Sequence, residues 1–76
     1  MARTLTVAVA QPTIAPHAVA DNAQTHADAI AAAGARLVVF PEMSLTGYEL
    51  DADPIEAEDP RLNPIADACA QADAVA

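Results

Sequence analysis

The chain has 76 residues and a mass of 7.8 kDa, and alanine supplies 21 of its 41 apolar side chains. With one Phe, one Tyr and no Trp, it has few side chains large enough to fill a core, so a self-sufficient core is not expected at this length. Eleven acidic residues against three Arg and no Lys give a net charge of −8, which argues against nucleic acid and anionic membrane as partners, since both are held by Lys/Arg clusters. One Cys rules out an internal disulfide, the usual support of small secreted domains. The expectation is a cytoplasmic α/β segment.

Residues 1–10 (MARTLTVAVA) look superficially like a leader peptide. Their apolar part, 5–10, falls short of the ~7–15 residues such a core needs, and Gln11 and Pro12 interrupt it. No run approaches the ~18 apolar residues of a membrane span. Residues 4–10 (TLTVAVA) read instead as a strand covered on both sides, because small or apolar residues occupy both faces. Residues 11–16 form a loop with two Pro. Helix formers dominate 17–33, with Val19, Ala23, His26, Ala27, Ile30 and Ala33 at helical spacing, and Gly34 is placed to end the helix in a left-handed conformation. The apolar run 36–40 (RLVVF) is a second, buried strand, which predicts a βαβ unit with a right-handed crossover.

A long Pro- and acid-rich loop follows over 41–60, a length that marks function or poor order. A second helix then starts either at Asn63–Pro64 or one turn earlier at Asp59–Pro60; both pairs offer a cap followed by Pro. Ile65, Cys69 and Ala72 share a face of that helix, and residues 73–76 (DAVA) read as the opening of a third strand. No repeat or linker divides the chain, which reads as one partial domain over 1–76, the first part of a larger α/β domain.

The most informative stretch is 39–48 (VFPEMSLTGY). Pro41 has no N–H, ends the ladder and keeps Phe40 extended. Glu42 therefore emerges just past the carboxyl end of a buried strand, the edge where open α/β sheets bind ligands. With Phe40 before it and Met43 and Tyr48 after it, the carboxylate is expected to be partly desolvated and more basic than in water.

Residues 7–11 (VAVAQ), Asp21–Asn22 and above all 34–48 (GARLVVFPEMSLTGY) resemble the nitrilase superfamily of carbon–nitrogen hydrolases. The order of elements agrees along essentially the whole chain. The resemblance implies an α/β fold in which this chain is the amino-terminal βαβ-α portion of a four-layer αββα sandwich, truncated. It implies that Glu42 is the Glu of the family's Glu–Lys–Cys triad; Tyr48, which a turn at Gly47 can bring back toward Glu42, is a candidate substrate-binding residue. It also implies hydrolysis of a small nitrile, amide or carbamoyl substrate through a cysteine thioester, with neither a metal nor an organic cofactor. Family members commonly form homo-oligomers through faces that arise later in the chain.

The chain departs from the family in having no Lys; the family's Lys and nucleophilic Cys lie beyond Ala76, so residues 1–76 alone are expected to be inactive. Cys69 is a poor substitute. It sits in a helix between Ala68 and Ala70 with no neighbouring cation to lower its pKa, and reads as a buried structural thiol. His17 and His26, nine residues apart, do not make a metal pair; His17 reads as a surface residue at the helix start and His26 as a flank of the apolar stripe. Gly47 reads either as a plain turn residue or as one that turns Tyr48 back toward Glu42. The acidic residues Asp51, Asp53, Glu56, Glu58 and Asp59 lack the calcium-loop pattern and read as a solvated surface. A nucleotide-binding α/β module is a weak rival because 11–22 contains no Gly to admit phosphates. A non-catalytic α/β remnant or interaction module is the other alternative, and the reading frame past Ala76 separates it from a truncated enzyme.

Overall fold

The computed structural model describes residues 3–76; Met1 and Ala2, the start of the segment weighed as a leader, lie outside the described residues. Strand β1 (Val7–Val9) leads through a loop into helix α1 (Val19–Ala33), and strand β2 (Leu37–Val39) follows. The two strands pair in parallel, with Val7 opposite Leu37, Ala8 opposite Val38 and Val9 opposite Val39. A second helix, α2 (Asn63–Ala72), comes after the long loop and packs on α1. Beyond it, Val75 forms a parallel bridge to Leu37. β2 is thus the central strand, flanked by β1 and by the expected start of a third.

Both strands are shorter than the sequence suggests, and α1 starts at Val19 rather than His17, because His17 takes a positive φ of 58°. Gly34 ends α1 in the left-handed conformation, as its position implies. Of the two candidate caps only Asp59 acts as one: α2 begins at Asn63, but its N-cap position is Leu62 and no side chain caps it. Asp59 caps a single 3-10 turn (Pro60–Leu62), accepting from the Arg61 amide, and α2 continues directly from it with Pro64 in its first turn. The Arg61 guanidinium also donates to both Asp59 oxygens, at 3.0 Å from Nε and 2.6 Å from Nη2. Those bonds hold the Asp59 carboxyl down at about 2.

The apolar stripe of α1 is buried from Val19 to Ile30, with Ala33 half-buried. Ile30, Ala35 and Val38 form the centre of the core, and Ala8, Ala10, Phe40, Ile65, Ala68, Cys69 and Ala74 pack around them. Both helices therefore cover the same sheet face, the one that carries Ala8, Val38 and Phe40. Small residues on β1 at this face let helix and sheet approach closely. Among the described residues, no helix is long and apolar enough to cross a membrane.

The opposite sheet face is apolar and bare. Leu5 (57% exposed), Val7 (48%), Val9 (77%), Val39 (43%) and Val75 (66%) stand on it. Parallel sheets are stable when covered on both faces, and exposed apolar strands invite association. The Ala-rich helices add little buried area against a backbone ordering cost of roughly 1–2 kcal/mol per residue. Residues 1–76 by themselves are therefore expected to be partly helical, to self-associate and to lack a cooperative transition. Denaturant titration followed in parallel by far-UV signal and Tyr48 fluorescence checks this; one sharp, coincident transition in a dilute monomer contradicts it.

Candidate active site

Two loops leave the carboxyl edge of the sheet, one after β1 and one after β2, and they pack on each other. After β2, Phe40 and Pro41 lead into a turn at Glu42 and Met43, a 3-10 turn over Ser44–Thr46, and Gly47. The Ser44 amide donates to the Pro41 carbonyl (3.2 Å) and the Tyr48 amide to the Met43 carbonyl (3.1 Å). Met43, Gly47 and Tyr48 all have positive φ, at 66°, 73° and 65°. For Met43 and Tyr48 this is a conformation that side chains disfavour by roughly 1–2 kcal/mol each, so the surroundings must impose it.

Helix α1 supplies that constraint. The Asn22 side chain, 1% exposed, accepts from the Ala15 amide (2.9 Å) and donates to the carbonyls of Ala15 (2.8 Å) and Leu45 (3.0 Å). One turn further on, the His26 ring bonds the Asn22 carbonyl through Nδ1 (2.5 Å) and the Ser44 hydroxyl through Nε2 (2.7 Å). The same ring lies against Phe40, with centroids 4.3 Å apart. The His17 amide donates to the Thr46 carbonyl (3.1 Å). Among the described residues, no buried side-chain nitrogen or oxygen lacks a partner.

Glu42 stands at the carboxyl edge of β2, as the sequence implies, but it is exposed. The expected desolvation is corrected by where its neighbours go. Phe40 turns inward onto His26, and Met43 (39% exposed) and Tyr48 (50%) are themselves partly in solvent; the carboxylate is left uncovered. The turn does bring the Tyr48 backbone back to Met43, next to Glu42. An open groove of about 390 Å³ is lined by Pro41, Met43, Leu45, Leu50 and Ile55 among others, but by neither Glu42 nor Tyr48.

Other sequence readings shift in detail. His26 is no flank of the stripe; it is 3% exposed and bonded at both ring nitrogens. Cys69 is a free, half-buried thiol packed on the Ile30–Val38 core, in keeping with a structural role. His17 is on the surface, yet its Nε2 lies 3.4 Å from Asp51 Oδ1 and 4.0 Å from Glu49 Oε2. These three side chains are the group able to hold a cation among the described residues. With His17 52% and Asp51 82% exposed, the arrangement is that of a solvent-screened surface cluster.

Gly47 has a role that any side chain would disturb. A Cβ there would lie 2.5 Å from the Ala15 carbonyl oxygen and 2.6 Å from the Pro16 Cα, both backbone atoms. Gly34 has a similar φ but open space around it. In the protein as its reading frame encodes it, Gly34→Ala is expected to cost only the left-handed penalty of roughly 1–2 kcal/mol, and Gly47→Ala clearly more, with faster amide exchange at residues 44–48. Denaturant midpoints and site-resolved exchange measure both; equal losses contradict the close approach.

The comparison with known families bears on the chain as a whole. The family model described as carbon–nitrogen hydrolase matches residues 6–75. No curated protein and no solved structure gives a significant match. The match spans nearly every residue from β1 to the third-strand bridge, and the chain belongs to the carbon–nitrogen hydrolase family.

Proposed function

We propose that this chain is the amino-terminal part of an enzyme that hydrolyses a small amide, nitrile or carbamoyl compound through a cysteine thioester, with Glu42 as the general base. The observation that carries the reading is the placement of Glu42, directly after the Pro that ends the central strand and on a turn tied to α1. A carboxylate there can take the proton of a thiol as it attacks the carbonyl or nitrile carbon, and later the proton of the water that cleaves the thioester. A Lys beside the developing oxyanion stabilises the tetrahedral intermediate. Residues 1–76 contain no Lys, so the proposed mechanism takes that Lys, and with it the nucleophilic Cys, from outside them. Tyr48, half exposed where the turn closes, is the proposed substrate contact.

The bare sheet face fits the same reading. Leu5, Val7, Val9, Val39 and Val75 form the surface on which a second sheet packs in a four-layer αββα sandwich. The single, free cysteine and the acidic composition agree with a cytoplasmic enzyme.

In the protein as its reading frame encodes it, Glu42→Gln should leave the fold intact and lower turnover by about 10²–10⁴-fold; near-normal turnover removes Glu42 from the mechanism. Residues 1–76 alone should show no turnover on a panel of amides and nitriles. Activity there that disappears in Cys69→Ala would instead make Cys69 the nucleophile.

A further inference from the structure

Helix α1 presents Asn22 and His26 four residues apart, hence on one face, toward the segment that carries Glu42. Their contacts bracket the carboxylate. The His26 ring lies on Phe40, two residues before Glu42, and bonds Ser44, two residues after it; Asn22 bonds the carbonyl of Leu45, one residue further. Glu42 is itself exposed, while Asn22, His26 and Ser44 are 1%, 3% and 4% exposed. The carboxylate thus projects into solvent from a mount that is dry and fully hydrogen-bonded.

The protons in this mount follow from what each group can do. A backbone carbonyl only accepts, so His26 Nδ1 carries a hydrogen and donates it to Asn22. In the neutral ring Nε2 is then a lone pair, and the Ser44 hydroxyl donates to it. Removing either partner leaves the other buried without a bond, a loss that the segment can relieve only by moving.

We infer that His26, with Ser44 and Asn22, is a positioning residue for Glu42: it fixes the turn so that the carboxylate is aimed at one place. This rests on the reading of Glu42 as general base. A base must lie within hydrogen-bond reach of the proton it takes, and a shift of about 1 Å can cost on the order of 10²-fold.

The test uses the protein as its reading frame encodes it, with kcat counted per active site so that unfolded molecules do not enter. Ser44→Ala and His26→Phe should each lower kcat about 10–100-fold with KM within about twofold. His26→Gln, which keeps an acceptor near Ser44, should recover part of the loss. Unchanged kcat per active site in Ser44→Ala and His26→Phe, alongside loss in Glu42→Gln, overturns this inference alone. Full turnover in Glu42→Gln, or none in the parent, takes down the reading of Glu42 and this inference with it. Ring nitrogen-15 shifts of the unsubstituted protein give an answer that does not depend on activity or on variants folding: the Nδ1–H form is expected, and an Nε2–H form overturns the arrangement.

Discussion

A buried amide holds the carboxyl edge of this fold together. The Asn22 side chain uses its oxygen and both amide hydrogens on backbone groups of two different loops, at Ala15 and Leu45. Each such bond adds only about 0.5–1.5 kcal/mol net, but a buried group left without its partner costs about 1–3 kcal/mol. The asymmetry makes the site all-or-none: with Asn22 in place the loop after β1 and the loop after β2 must lie side by side. The close passage of Gly47 over Ala15 and Pro16, and the positive φ values at Met43 and Tyr48, follow from that enforced proximity.

The sheet shows a second division of labour. Ala8, Ala10 and Val38 face the helices, whereas Leu5, Val7, Val9, Val39 and Val75 face away. Apart from Phe40 and Val38, the larger apolar side chains of the sheet are thus on the face that nothing in residues 3–76 covers. Burial there offers the larger stabilisation, since it scales with apolar area. Helix packing alone uses the weaker, alanine-lined face of β1.

Local features were legible in the sequence. Gly34 ends α1, the stripe from Val19 to Ile30 is buried, and residues 36–40 contain the central strand, because each of these depends on neighbours within a turn or on simple periodicity. The start of α2 stayed open between Asp59 and Asn63, since both offer an N-cap residue followed by Pro; the structure uses Asp59 to cap a 3-10 turn, and the helix that continues from it needs no cap from Asn63. What could not be read were pairings across the long loop. His26 meets Ser44 18 positions away, and His17 meets Glu49 and Asp51 only once the loop folds back. A histidine within an alanine stripe gives no sign of its partner. The exposure of Glu42 was missed for a related reason: the sequence placed Phe40 beside it, but not the tilted contact with the His26 ring that takes Phe40 inward.

The placement of charge completes the picture of what this segment can contribute. A carboxylate base has to be matched by a positive group where the oxyanion develops, and the chain has three cations in all. Arg36 is exposed just before β2, at the sheet edge opposite Glu42. Arg3 precedes β1, toward the same amino edge of the parallel sheet as Arg36. Arg61 is committed to both oxygens of Asp59, whose carboxyl it holds at about 2, so the pair stays ionised across the range where a hydrolase works. None of the three is free to face Glu42. Residues 3–76 therefore present the Glu42 carboxylate on a hydrogen-bonded mount without a cation beside it, and a hydrolytic mechanism that uses Glu42 as base would have to draw its cation from outside these residues.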